Sequence, residues 1–380
     1  MKKVVICEKG TGAGGVKTAL VDFLNYYSQK SDIEITLVLL RESSALLEVI
    51  PKNIKVIKLP FKREFYNVYE SKSNIKPCNR LIRKLYKAIE KIIRYTTKQF
   101  SKTYDFFLKK TYSLDGEYDV AMDYYGYGCF STAYVAKKIN AKEKIMWVHP
   151  ADFSWGKNTE KYFKDYDKIY CVSDSTKDKF IDEFKYMADK VEVHKNIIDF
   201  NRILTLSKEG RTNLSNDYFN ILTVARLVKE KGYEIIINAA KIIAEKNIKF
   251  RWYICGDGLL KDELKSMIKQ LNIEDKIILL GGIENPYPYF TDCDIYVQAS
   301  RNEGYGLTIA EAKILSKPVI CSDIPPFREQ IEDGKNGFLC DLTPESFANK
   351  IIYVYKNFDA INKSVNEVSR QEQEFIDDIL

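Results

Sequence analysis

The chain has 380 residues, 45% of them hydrophobic and 29% charged, and a net charge of +6. That length suffices for two domains with separate cores, and the balance is that of a folded globular protein, which sets aside collagen-like, low-complexity and disordered classes. No stretch approaches the ~20 apolar residues of a membrane span, and Val4-Val5-Ile6-Cys7 is too short an apolar run for a signal peptide, so a cytoplasmic protein is expected.

Residues 3–7 read as a buried strand, followed by a glycine turn (Gly10, Gly12, Gly14, Gly15) and a helix with an apolar stripe of Val16, Ala19, Leu20, Phe23 and Leu24. The spacing is not G-x-G-x-x-G, so the cluster by itself marks a tight turn as readily as a ligand loop. Residues 33–40 and 54–59 are further strands, and the strand–helix–strand repetition predicts an α/β fold with a parallel, doubly wound sheet. Composition changes at residue 62. From 62 to 112 there are fourteen Lys/Arg against four Asp/Glu, while Leu81, Leu85, Ile89, Ile92, Phe100, Tyr104 and Phe107 keep a helical stripe. Such a segment suits a solvated helix packed on the first sheet, an anionic lipid surface, or both. No recognition motif supports nucleic acid.

Tyr118–Met122 and Lys144–Val148 are the next strands, and the second runs directly into His149. A histidine at the carboxyl end of a parallel strand is placed to meet a ligand. Asp165-Tyr166-Asp167 and Asp292-Cys293-Asp294 have the text of a metal-binding pair, but each leads into a strand and neither belongs to a carboxylate cluster. With only His149 and His194 available and eight scattered cysteines lacking a CxxC pair, no metal is expected, and the cysteines read as buried free thiols. Residues 207–217 are polar and aperiodic, and read as a linker before the strand Tyr218–Val224. Arg226 and Lys231 follow that strand and suit a diphosphate, one with a bidentate fork and the other with a point charge; an ordinary charged loop on a solvated surface fits the run as well.

Strand 250–255 ends in Gly256-Asp257-Gly258, and Gly281–Tyr289 follows strand 276–280. A strand at Ile295–Val297 then meets the turn Arg301–Gly306. A helix begins near Leu307, with Leu307, Ala310, Glu311, Ile314 and Leu315 recurring at helical steps, and Lys317-Pro318 stops it before a strand at Val319–Cys321. Glu303 and Glu311 bracket the turn, Gly304 and Gly306 let backbone approach a ligand, and the amides of Leu307 and Thr308 are free donors at a helix start. Such a start binds anions, and carboxylates beside it grip hydroxyls, a combination that suits a sugar nucleotide. An ordinary α/β loop with solvated glutamates fits the spacing equally.

The string E-G-Y-G-L-T-I-A-E, followed by A-K-I-L-S-K-P-V-I-C-S-D, resembles the Glu-x7-Glu signature of retaining glycosyltransferases of the GT-B fold, family 4 (glycosyl transferases group 1), of the bacterial polysaccharide-assembly type. Ala225-Arg226-Leu227 with Glu230-Lys231-Gly232 resembles the same family's Gly-Arg-Leu…Glu-Lys-Gly motif. Lys195-Asn196-Ile197-Ile198-Asp199 resembles its Pro-Asn-Gly-Val-Asp interdomain turn, with Lys and Ile in place of Pro and Gly. The resemblance implies two Rossmann-like domains facing an interdomain cleft. These are residues 1–200 on the acceptor side with the basic insertion 62–112, residues 201–360 binding the nucleotide sugar, and a terminal helix in 361–380 returning to the first domain.

By the same resemblance, Gly14 and Gly15 approach the donor phosphate and acceptor, and His149 contacts the donor sugar near its reacting carbon. Arg226 and Lys231 hold the diphosphate with the helix start at Gly306, Leu307 and Thr308. Gly282 and Ile283 meet the base, Glu311 the ribose, and Glu303 the sugar hydroxyls. The implied activity is metal-independent transfer of a hexose, with retention, from a nucleotide diphosphate sugar (UDP-linked) to a saccharide or lipid-linked saccharide, with no cofactor. The setting is the cytoplasm, at the inner face of the plasma membrane where the basic segment meets anionic lipid. A catalytically silent subunit of the same fold, holding a glycan or partner enzyme, and a UDP-sugar epimerase are the competing readings.

Overall fold

The computed structural model describes residues 1–8, 14–40, 44–59, 88, 91, 92, 100–126, 128–149, 153 and 156–371. They form two compact units, Met1–Ile198 and Asp199–Leu380. Among the described residues the first carries seven strands: β1 (Lys2–Glu8), β2 (Ile33–Leu39), β3 (Lys55–Lys58), β4 (Tyr118–Asp123), β5 (Ala141–Val148), β6 (Lys168–Cys171) and β7 (Val191–Val193). The second carries six: β8 (Phe219–Val224), β9 (Phe250–Cys255), β10 (Ile277–Gly281), β11 (Ile295–Gln298), β12 (Val319–Ser322) and β13 (Phe338–Cys340).

The sheet orders are β3-β2-β1-β4-β5-β6-β7 and β10-β9-β8-β11-β12-β13, and the strands of both pair in parallel. Both units are therefore doubly wound α/β sheets of the expected class. In each, strand order reverses beside the first strand, so the crevices outside the carboxyl ends of β1/β4 and β8/β11 are topological switch points, where such sheets bind ligands.

Central strands read as unbroken apolar runs because helices cover both sheet faces. Val4, Val5, Ile6 and Cys7 are fully buried. The helix Gly15–Ser28 packs Phe23 edge-on against Tyr124 and Trp147, at ring distances of 5.4 and 5.5 Å. Of the basic segment, the described part is mainly the helix Phe100–Leu108, which turns Phe107 and Leu108 into the first core. There Phe107 meets Phe130 at 5.9 Å, and the Tyr104 hydroxyl donates to the Gly128 carbonyl at 2.8 Å. That helix packs on protein. Most of 62–99, on which the lipid-surface expectation rests, lies outside the described residues, as do 372–380 of the expected returning helix.

In the second unit the helix Tyr233–Ala244 buries Tyr233, Ile235, Ile236, Ile237 and Ile243, each such side chain contributing about 1.5–3 kcal/mol of apolar burial. The polar stretch 207–217 lies inside this unit rather than between the two. The side chains explain why: the Thr212 hydroxyl donates to Asp292, and Asn220 Nδ2 donates to the Ser215 carbonyl at 3.1 Å.

The helix Leu307–Ile314 forms where its periodicity predicts, but only Ala310 and Glu311 of the quoted stripe are buried. Ile309, Ala310, Glu311 and Ala312 are buried, while Leu307, Ile314 and Leu315 are only partly covered. Its stop is a Schellman arrangement. Ser316 adopts the left-handed conformation (φ 55°), with Ser316 N donating to the Lys313 carbonyl at 2.8 Å and Lys317 N to that of Ala312 at 2.9 Å. Cys7, Cys171, Cys255, Cys293, Cys321 and Cys340 are buried free thiols and Cys129 a half-buried one. Among the described residues, no helix is long and apolar enough to cross a membrane.

Candidate functional site

The loops after β8 and β11 meet at the second switch point, and glycine makes the approach possible. Gly232 sits at φ 62°, and a Cβ there would collide with the Ala299 carbonyl oxygen. Arg301 N donates to the Glu230 carbonyl at 2.8 Å and ties the same two loops together. The result places Lys231 against Glu303, with Nζ to Oε1 at 2.5 Å and side chains 16% and 13% exposed.

That carboxylate oxygen is held from three sides: Gln298 Nε2 donates to it at 2.9 Å and Ser300 Oγ at 2.8 Å, besides the ammonium. Gln298, itself buried, is saturated. Its Oε1 accepts from the Tyr296 hydroxyl and, at 3.1 Å, from Thr308 Oγ1, and its Nε2 also reaches Ser300 Oγ at 2.9 Å. A carboxylate fixed through one oxygen leaves the other to accept; Glu303 Oε2 has no hydrogen-bond partner among the described residues.

Gly306, at φ 92°, caps the helix Leu307–Ile314, whose first amides, those of Leu307 and Thr308, have no partner within the helix. One turn on, Glu311 is 6% exposed, and its Oε1 accepts from the Tyr287 hydroxyl at 3.0 Å. Arg226, the second expected phosphate cation, is exposed just past β8 and makes no ion pair among the described residues. Gly282 and Ile283 follow the edge strand β10, beside Asp257 of the neighbouring loop. Lys231, Glu303, Gly306, Leu307, Thr308 and Glu311 thus share one locality, while Arg226 is exposed on the loop that follows β8.

In the first unit Gly14, at φ 145°, precedes the helix Gly15–Ser28 that follows β1. His149 follows β5 and is 7% exposed. Its Nε2 lies 2.9 Å from the Tyr124 carbonyl oxygen, which can only accept, so Nε2 carries the hydrogen and Nδ1 is left as an acceptor. Burial lowers its pKa to about 4, so the imidazole is neutral near pH 7. Asp123, at the end of β4, goes the other way. Burial raises its pKa to about 6, against hydrogen bonds that include Thr132 Oγ1 at 2.6 Å.

The two Asp-x-Asp pairs hold structure. Asp165 accepts from Lys137 Nζ at 2.9 Å, Asp167 from Lys144 N at 2.8 Å, and Asp294 from Asn220 N at 2.6 Å. Gln298, Ser300, Tyr287 and Arg202 did not emerge from the sequence. Gln298 had a legible signal, a polar residue at the end of an apolar strand; Tyr287 had none, being 24 positions from the carboxylate it meets.

Residues 207–371 match the family model described as glycosyl transferases group 1. An uncharacterised glycosyltransferase of Methanocaldococcus jannaschii is 31% identical over 201 residues, 51% of this chain and 47% of its own length. The N-acetylgalactosamine-N,N'-diacetylbacillosaminyl-diphospho-undecaprenol 4-alpha-N-acetylgalactosaminyltransferase of Campylobacter jejuni is 34% identical over 167 residues, 44% of each chain. The chain thus spans about half the length of these curated relatives. A crystal structure of Anabaena HepE in complex with UDP and glucose superposes with a TM-score of 0.68 at 17% identity, covering 98% of this chain and 95% of that one. At that identity it shows a shared fold, the GT-B architecture of two doubly wound units.

Proposed function

On the premise that residues 207–371 belong to the glycosyl transferases group 1 family, we propose that this protein transfers a hexose, with retention of configuration, from a UDP-sugar to a saccharide or lipid-linked saccharide in cell-surface polysaccharide or glycoconjugate synthesis. The observation that carries the reading is the Lys231–Glu303 pair beside a glycine-capped helix start, with Glu311 buried one turn further on. A cation and free amides suit the diphosphate, and two carboxylates suit ribose and sugar hydroxyls. The bond from anomeric carbon to diphosphate oxygen breaks as the acceptor hydroxyl oxygen forms its own bond to that carbon on the same face, and the departing diphosphate takes the hydroxyl proton.

Lys231, the helix start and Arg226 stabilise the charge growing on the leaving oxygen, work that needs no metal. Glu303, pinned through Oε1, offers Oε2 to the sugar hydroxyls. Gly14 and Gly15 keep the role of approaching donor phosphate and acceptor that the resemblance implies, and the neutral His149 that of meeting the donor sugar. The UDP and glucose named with the HepE structure and the diphospho-undecaprenol in the Campylobacter relative's name support these substrate classes. The test is a panel of sugar nucleotides offered with undecaprenyl-diphosphate-linked saccharides, with and without EDTA. Product and its anomeric configuration are followed by NMR, and donor-dependent thermal stabilisation by calorimetry. Inverted product would reject retention, EDTA-sensitive turnover would reject metal independence, and donor consumption without acceptor would favour an epimerase.

A further inference from the structure

Behind Glu311 stands a second pair of side chains that the family motifs quoted above do not include. Tyr287 opens the short helix Tyr287–Asp292 and is 4% exposed. Its hydroxyl lies 3.0 Å from Glu311 Oε1, and Arg202 Nη1 lies 3.2 Å from the same phenol oxygen. Chemistry fixes the direction of both bonds. A guanidinium only donates and a carboxylate only accepts, so Arg202 donates to the phenol oxygen and the phenol proton points to Glu311.

Burial and the adjacent carboxylate push the Tyr287 ionisation well above that of a free phenol, so the donor keeps its proton throughout the working pH range. Arg202 is itself held. It lies on the helix Phe200–Leu206, whose cap Asp199 accepts from Arg202 N at 2.9 Å, and Asn285 Nδ2 donates to the Leu206 carbonyl at 2.8 Å beside Tyr287. The guanidinium also lies over the Tyr287 ring, 5.5 Å from its centre. A cation polarising a phenol makes that phenol a stronger donor to the carboxylate behind it.

We infer that Tyr287 and Arg202 are positioning residues that hold the Glu311 carboxylate in the orientation in which it accepts from ribose hydroxyls. This rests on the nucleotide-binding reading of Glu311 proposed above. It assigns part of the ribose selectivity to two side chains 85 positions apart in sequence. They act through Glu311 and need no contact with the nucleotide.

The test compares UDP with 2′,3′-dideoxy-UDP as calorimetric probes of the wild-type 380-residue chain and of Tyr287→Phe, Arg202→Gln and Glu311→Gln. Tyr287→Phe keeps the ring and removes one oxygen. It is expected to weaken UDP about three- to tenfold and to leave the dideoxy probe unchanged, with Arg202→Gln weakening UDP about two- to threefold with the same selectivity. Combining Tyr287→Phe with Glu311→Gln should cost no more than Glu311→Gln alone. Equal losses for both probes would mean general disturbance of the pocket and overturn the inference, as would an unchanged UDP affinity in Tyr287→Phe when Glu311→Gln loses it. A wild type that binds no UDP would overturn the site reading itself, and the inference with it.

Discussion

Lys231→Ala separates the two tasks given to this lysine. In the folded protein its ammonium lies 2.5 Å from Glu303 Oε1, with both side chains mostly covered. Removing one member of a fully buried pair costs about 3–5 kcal/mol, because an uncompensated charge remains. Here Gln298 and Ser300 still donate to the same oxygen at 2.9 and 2.8 Å, so the expected loss of stability is lower, about 1–3 kcal/mol. The loss to a diphosphate is not buffered in this way. One charge-assisted hydrogen bond is worth about 1.5–3 kcal/mol, roughly ten- to 150-fold in kcat/KM, and more where charge grows in the transition state.

Urea unfolding gives the first quantity and steady-state transfer from a UDP-sugar the second. Adding Glu303→Gln to Lys231→Ala removes the stranded charge and should recover most of the stability without recovering transfer. Wild-type kcat/KM in Lys231→Ala, or activity that returns together with stability in the double variant, would refute the assignment of this cation to the leaving group.

Gly232→Ala is expected to destabilise the second unit by about 2–5 kcal/mol, since alanine is strained at φ 62° and its Cβ collides with the Ala299 carbonyl; the urea midpoint reports it, and a shift under half a kcal/mol would contradict the packing. Glu311→Ala should weaken UDP more than tenfold while costing the fold only about 1–3 kcal/mol, read by calorimetry and unfolding side by side. His149 supplies a pH dependence: its pKa is near 6.5 unfolded and about 4 folded, so between those values the unfolded chain binds the extra proton and stability falls as pH drops. The full effect is on the order of 3 kcal/mol. Asp123, raised to about 6, contributes the opposite slope over much of the same window. The difference between wild type and His149→Gln therefore isolates the imidazole, and it should swing in favour of the variant on acidification from pH 6.5 to 4.

Much of this protein is legible without coordinates. Apolar runs bounded by glycine turns announce the parallel strands, because a strand covered on both faces has no reason to alternate. Glu303, Gly306 and Glu311 lie within one strand–turn–helix unit, so local spacing was enough to group them, and Arg226 with Lys231 forms a second local group. Local spacing could not say that the two groups touch.

The parallel register that sets Ile295 against Ile221 decides it, carrying the loops after β11 and β8 to the same end of the sheet. Only then does Lys231 meet a carboxylate 72 positions away. The same holds for the face of the helix Leu307–Ile314. Its periodicity shows that it is a helix, but which residues are covered depends on what packs around it, and Ile309 and Ala312, outside the quoted stripe, are enclosed along with Ala310 and Glu311. Tyr287 and Arg202 carry no motif, and Arg202 meets the phenol that holds Glu311 only because Phe200–Leu206 lies beside the turn after β10. Residue type and short-range rhythm are properties of the chain; which distant groups share a proton or a charge is settled by strand order and register.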